Sequence, residues 1–395
     1  MRNWYVASAS ALVGLALFLG IAITGPAMNA DGGGCSQEIT LSASSATDGL
    51  NGQNVTQALL SAKAALCQPG SGGHGGVILI DCTDCSIAGG LDLSDVTLKG
   101  LGKGRTLLRI GCAPGPGIRF NGHFGELRDI WIDGGGCSGR STMVEFSHPY
   151  EGAGVYDSVI GGNPEGTCLR VDATTEENPN SGPFTVSETW LTGCRDGLVY
   201  EGSGASIRLH DLTIEQITGS GILLKGPLDT GLVRPAPLYG IRATGLHIEN
   251  VAWVVTIDGA SMVVVDGIEV ASSNGAQGIL RLLGRRPTAG DAGSEIFFTT
   301  AITLDHVVGR AGLPLVVDQR DGGSMIVPGA VLNRRWEDMP EAAEPVAATP
   351  QPTPASTATP TSTATPTQKA TSTPTTKPTN TPTTKPTSTP TRAPR

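Results

Sequence analysis

The chain has 395 residues, with 27 basic against 36 acidic side chains, 4% aromatic residues and 55 glycines. Setting aside Arg2 and the five basic residues of positions 349–395 leaves 21 basic against 36 acidic residues, a net charge of −15. That balance excludes a basic nucleic-acid footprint, and it repels a polyanionic ligand unless a cation bridges the two.

Residues 4–24 carry no charge and follow a single basic residue, Arg2. The run is expected as a signal-peptide core or short membrane anchor within residues 1–30, since about 20 apolar residues span a bilayer. Gly25-Pro26 closes it, and Ala30 is a candidate cleavage point although Met28 stands where a small residue is preferred. Either outcome exports the remainder, so the expected location is secreted or cell-surface. Eight cysteines in an exported chain predict disulfides but leave their connectivity open. Cys112, Cys137, Cys168 and Cys194 lie 25, 31 and 26 residues apart, spacings that suit links between neighbouring repeats. Cys82-Thr83-Asp84-Cys85 is isolated from any second pair or histidine cluster, which argues against zinc.

Residues 55–66 form the one clear helical stretch, with Val55, Ala58, Leu59, Ala62, Ala65 and Leu66 on one face. A glycine-rich turn at 70–76 follows, and residues 31–110 are read as an N-terminal cap with the first coils. From 111 to 340 a short pattern of alternating apolar and outward residues recurs. One inward position aligns Phe120, Phe146, Val171, Tyr200, Leu224, Ile257, Leu282 and Val317, at spacings of 26, 25, 29, 24, 33, 25 and 35. A second aligns Ile132, Ile160, Leu191, Ile214, Ile248, Val270 and Val308. Period-2 alternation marks strands, and a period in this range marks a solenoid whose turns stack. Three residues before the second anchor stand Asp129, Asp157, Glu188, Asp211, Gly245, Gly267 and Asp305. This column suits a sharp corner better than a catalytic row, because Asp accepts local backbone hydrogen bonds and Gly tolerates unusual dihedrals. Residues 341–395 end in Thr, Pro, Ser and Ala with an eight-residue unit repeated at 375–382 and 383–390. With nothing apolar to bury, this tail is expected to stay disordered, as a spacer through a cell wall.

The helix, the glycine-rich turn, GVILID at 76–81 and VTLKGLG at 96–102, in that order, resemble the N-terminal cap of pectate-lyase-superfamily proteins. In organisation the resemblance covers residues 48–328. It implies an all-β chain, a right-handed parallel β-helix solenoid of about eight or more coils with an N-terminal capping helix. It also implies a polysaccharide or surface glycan as partner, lying along one face and flanked by insertions, here residues 174–183, 227–239 and 285–294. Family motifs for chemistry are missing: the polygalacturonase set is absent, and Gly73-His74-Gly75 sits in the cap turn.

Two faces compete for the site. Outward from the first anchor run Asp172, Glu201, Lys225 and Asp258, with Arg170 beside Asp172 and Asp196 at the start of the Glu201 strand. Glycoside hydrolysis needs two carboxylates, roughly 5 Å apart for retention, and neighbouring coils would hold Asp172 and Glu201 at that spacing. Lyase chemistry needs a base with Arg or Ca²⁺ neutralising a uronate, and Arg170 and Lys225 are the available cations. The catalytic candidates on this face are therefore Asp172, Asp196, Glu201, Arg170 and Lys225. Two stacked carboxylates should also attract a cation, with Asp172 and Glu201 as its ligands and Ca²⁺ as the expected ion. The rival face carries Trp131 and Trp190 in one outward column, with Thr213, His247 and Glu269 further along it, and Glu215 and Glu249 in the next. Aromatic rings beside carboxylates suit sugar stacking, so Trp131, Trp190, Glu215 and Glu249 are the candidate substrate-binding residues. Three readings stand: a polysaccharide lyase or hydrolase, a non-catalytic glycan-binding or adhesion solenoid, and a structural surface protein.

Overall fold

A computed structural model describes residues 21–24, 37–43 and 54–66, and 75–326 apart from 123, 150–151, 175–181, 228–237, 273, 285–298, 310–311 and 321–324. The described chain is a parallel β-helix. Almost every strand pairs in parallel with the strand one turn earlier and one turn later, which builds three long sheets around a single core. Sheet A opens each turn and includes Thr97–Lys99, Glu126–Arg128, Gly154–Tyr156 and Phe184–Ser187. Sheet B follows, with Leu107–Ile110 and Trp131–Asp133 among its strands. Sheet C closes the turn, with Pro116–Asn121, Thr142–Ser147, Gly278–Leu283 and Val316–Asp318. Between them, continuous bent strands such as Ile207–Lys225 and Leu238–Asp258 run through all three sheets.

Each inward column stacks one apolar residue per turn. In sheet A it runs Leu98, Leu127, Val155, Val186, Leu209, Ala243, Val265 and Leu304, all buried. In sheet C it begins with Phe120 and Phe146, whose rings stack at 4.7 Å, and the Phe184 ring meets Phe146 edge-on at 5.1 Å. Leucine and valine fill the sheet A column and aromatic rings open the sheet C column, because stacked turns bury these positions from above and below and so favour near-continuous apolar columns. At the N-terminal end the helix Thr56–Ala65 packs against Glu38–Ala43 and Val77–Asp81. Ala58, Leu59 and Ala62 are its buried residues, and Val55 and Leu66 are buried at its two ends, as the expected capping face requires. Ile21–Thr24, the end of the apolar N-terminal run, is a strand antiparallel to Glu38–Ala43.

From Asp129 onward, the corner between sheets A and B is left-handed in seven successive turns. Asp129, Asp157, Glu188 and Asp211 have φ of 55, 42, 49 and 56°, and Gly245 and Gly267 have 66 and 70°. A side chain at Gly245 would meet the Asp211 carboxylate as well as the strained dihedral, so that position needs glycine twice over. In the last turn the corner is His306, at φ 47°, and not Asp305. The same one-residue offset corrects two anchors. Val308 pairs with outward Glu269 and is exposed, while Val307 is the buried residue. Asp318, not Val317, pairs with Leu282, and this inward carboxylate is fully buried against Arg320, with Oδ2–Nη2 at 2.8 Å.

Among the described residues, three disulfides join Cys82 to Cys85, Cys112 to Cys137 and Cys168 to Cys194. The last two link neighbouring turns, as their spacing predicted. Bonds of this kind persist in oxidising compartments and point to an extracellular protein. Among the described residues no helix is long and apolar enough to cross a membrane. Residues 1–20, the expected tail at 341–395 and most of the three expected groove insertions lie outside the described residues.

Two substitutions test this architecture. Leu224 is 1% exposed in the sheet C column, so Leu224→Asp should cost several kcal/mol and abolish the cooperative urea transition. At the left-handed corner, Asp211→Val should destabilise by about 1–2 kcal/mol in the same assay, while Asp211→Gly should not.

Candidate functional site

Stacking in register gives sheet C a ladder of charge. One outward column reads Arg119, Glu145, Arg170, and the next reads Asn121, Ser147, Asp172, Glu201, Lys225, Asp258. Arg119 Nε lies 2.8 Å from Glu145, and Arg170 Nη1 lies 3.4 Å from the other oxygen of the same carboxylate. Glu145 points outward yet is buried between these two guanidinium groups. Arg170 Nη2 lies 3.2 Å from both Asp172 Oδ2 and Glu201 Oε2, and Lys225 Nζ lies 3.7 Å from Glu201 Oε1. Asp172 Oδ1 accepts from the Thr174 backbone N–H at 3.2 Å and from its hydroxyl at 2.6 Å.

The structure therefore brings Arg170, Asp172, Glu201 and Lys225 together. Asp172 and Glu201 stand opposite one another on adjacent turns, about 5 Å apart by strand spacing. The guanidinium of Arg170 fills the position between them where the sequence placed a cation. All four oxygens of the pair already face a donor of the chain itself, so Ca²⁺ would have to displace Arg170 or Lys225 to bind. Asp196 stands apart. It pairs with Thr167, about 16 Å along the strand from Glu201, and is buried, accepting from the Ser220 N–H at 3.0 Å and from Arg195 Nε at 2.8 Å. Asp258 completes this face: burial raises its pKa against the opposing pull of Lys225 and Arg281.

Sheet B resolves its stacking differently. Its first outward column is Leu107, Trp131, Val159, Trp190, Thr213, His247, Glu269 and Val308. Trp131 and Trp190 are 42% and 39% exposed, with the smaller, buried Val159 between them, so two indoles stand up on either side of a dip. The second column places Glu215 directly opposite Glu249 on the next turn. Like charges at this spacing repel, and the neighbourhood answers in two ways. The Trp190 indole N–H donates to Glu215, whose pKa is nevertheless raised, first by burial and then by Glu249. His247 lies 3.1 Å from Glu249 through Nε2 and 3.2 Å from Glu269 through Nδ1. Those two hydrogen bonds raise its pKa above the ordinary 6.5.

His247 and Glu269 were visible in the column but were not singled out, and they complete the cluster. The signal was available: residues 247 and 249 share a strand face, and 247 and 269 share a column. A third group, Asp266, Asp305 and His306, brings three donor atoms within 4.8 Å of one another. Its His306 Nδ1 lies 2.7 Å from Asp266 Oδ1, a hydrogen bond that accounts for the arrangement at the corner.

The sign of the His247 effect is fixed. A histidine whose folded pKa is raised contributes stability that is present below its unfolded pKa and lost as pH rises through the folded one. Glu215, also raised on folding, acts in the same direction. The His247 ring should therefore titrate by NMR with a midpoint above 6.5, and Glu249→Gln should bring that midpoint down.

No protein-family model matches the chain, and no curated protein does. Among solved structures the chain is similar to the Azotobacter vinelandii mannuronan C-5 epimerase AlgE4 A-module, with 15% identity and a TM-score of 0.33, over 62% of this chain and 83% of that one.

Proposed function

We propose that this protein is an extracellular glycan-binding solenoid of pectate-lyase-like type, which lays a polysaccharide along sheet B across Trp131 and Trp190. The observation that carries this reading is the pair of exposed indoles in one outward column. Two turns separate them, about 9.6 Å at a strand spacing of about 4.8 Å, a distance comparable to the length of a disaccharide. Indole faces stack on the apolar faces of sugar rings, and carboxylates beside them accept hydrogen bonds from sugar hydroxyls. Sheet C supports the reading by contrast, since its carboxylates are already paired with arginine and lysine of the same chain. The termini are read as the attachment to the cell wall or membrane.

A catalytic reading is favoured by one observation, the adjacent Glu215 and Glu249 with the first held protonated to higher pH. Opposed carboxylates with separated pKa values are the acid and base of glycosidases. In that reading Glu215 donates the proton and Glu249 attacks or activates water, and product is read as new reducing ends or as the ultraviolet absorbance of unsaturated sugars.

Binding is tested first, with a panel of soluble polysaccharides and affinity electrophoresis. Trp131→Ala and Trp190→Ala should each weaken binding about tenfold or more, while Glu201→Gln and Arg170→Ala on sheet C should not. Unchanged binding in both tryptophan variants would remove the reason to place the ligand on this face.

A further inference from the structure

Resting on the glycan-binding reading of sheet B, we infer that the ligand of this face carries free amino groups: it is a polymer or oligomer of amino sugars rather than of uronic acids or neutral sugars. Charge complementarity and its position carry the inference. Among the described residues, no lysine or arginine beyond Arg109 occupies the two outward columns of sheet B. Arg109 itself is engaged, 2.8 Å from Asp84 and 3.0 Å from Asp133. From Trp190 onward the same columns hold three glutamates, Glu215, Glu249 and Glu269, against one histidine. A protonated His247 neutralises only one of them, so the surface running away from the indoles keeps an excess of negative charge.

That excess is unusual for this molecule. On sheet C, Glu145, Asp172 and Glu201 are matched by Arg119, Arg170 and Lys225 at 2.8–3.7 Å. On sheet B the matching cations are missing, and the unmatched acids begin one turn from Trp190, whose indole N–H is already fixed on Glu215. A sugar ring seated on Trp190 would therefore present its substituents to Glu215 and Glu249. An ammonium substituent gains charge-assisted hydrogen bonds there and relieves the repulsion of the two stacked carboxylates. A uronate meets three like charges within a domain whose net charge is −15. A neutral sugar uses the hydroxyl-accepting capacity of the glutamates but gains nothing from their charge.

Calorimetric titration of the full chain at mildly acidic pH decides the matter with three probes of equal length: a glucosamine oligomer, its fully N-acetylated counterpart, and an oligogalacturonate. Acetylation changes the charge and leaves the ring face intact. The glucosamine oligomer should bind at least about tenfold more tightly than the acetylated one, about 1.4 kcal/mol, and the uronate should give no binding. Glu215→Gln combined with Glu249→Gln should erase that preference and bring both oligomers to similar affinity, while Trp190→Ala should weaken both. Equal affinity of wild type for the acetylated oligomer, or measurable uronate binding, overturns the amino-sugar assignment and leaves the stacking face standing. Absence of binding to all three, with the tryptophan variants also without effect on the wider panel, overturns the face itself. Both glutamates are partly solvent-facing, and a melting curve matching wild type confirms that the double variant is folded.

Discussion

Everything in this molecule follows from one constraint: each residue sits a single strand spacing, about 4.8 Å, from its counterpart in the turns above and below. Inward, that spacing rewards repetition, because an isoleucine or phenylalanine stacked on its like fills the core without gaps. At the corners the same left-handed bend recurs in seven successive turns, and aspartate, glutamate, histidine and glycine share that task. Outward, the same spacing is a difficulty. A charge repeated at this distance repels itself, so an outward column must alternate in sign, dilute its charges with neutral residues, or accept the cost.

Sheets B and C take different courses. In sheet C the sequence arginine, glutamate, arginine along one column, with Asp172, Glu201 and Lys225 beside it, pairs these charges from within. The buried Glu145 is the clearest consequence: a nearly inaccessible carboxylate is tolerated because two guanidinium groups meet it. Such a lattice holds adjacent turns in register. In sheet B, Glu215 is stacked on Glu249, and the relief comes from an indole N–H and an imidazole instead of fixed cations. Sites where local rules of stability are relaxed, and where pKa values move as a result, are where function is expected.

The columns were legible in the sequence because period-2 alternation leaves little choice wherever apolar and polar residues truly alternate. Ile132, Ile160, Leu191, Ile214 and Ile248 are flanked by residues such as Trp131 and Asp133 that cannot be buried in their place. The last turn offered no such contrast. Val307-Val308 and Val316-Val317 each present two equivalent residues, so alternation alone cannot decide which valine points inward. One slip there put Val308 and Val317 at inward anchors and Asp305 at the corner, whereas Val308 is exposed, Asp318 takes the inward place beside Leu282 and His306 makes the corner. A buried aspartate at an inward position is rare, and the bidentate guanidinium of Arg320, two residues on, with its backbone N–H, makes it tolerable.

The site was legible as a set of columns and illegible as chemistry, because the sequence shows which residues stack but not which atoms meet. Asp172 and Glu201 were correctly neighbours, yet the decisive fact is that Arg170 turns into the space between them. Trp131 and Trp190 were correctly placed in one column, but their exposure depends on Val159 being short enough to leave a dip. The net charge of −15 acquires meaning only once this is known. Were the acids spread evenly over the surface, the domain would merely be soluble. Pairing on sheet C takes up the charge of Glu145, Asp172 and Glu201, whereas the three glutamates of sheet B beside the indoles meet a single histidine. A low-dielectric wall with one sign of charge draws oppositely charged ligands toward it and repels the rest. The aromatic column then supplies what charge alone does not, a flat apolar surface at repeating distance along which a chain of sugar rings can lie in register with the turns of the helix.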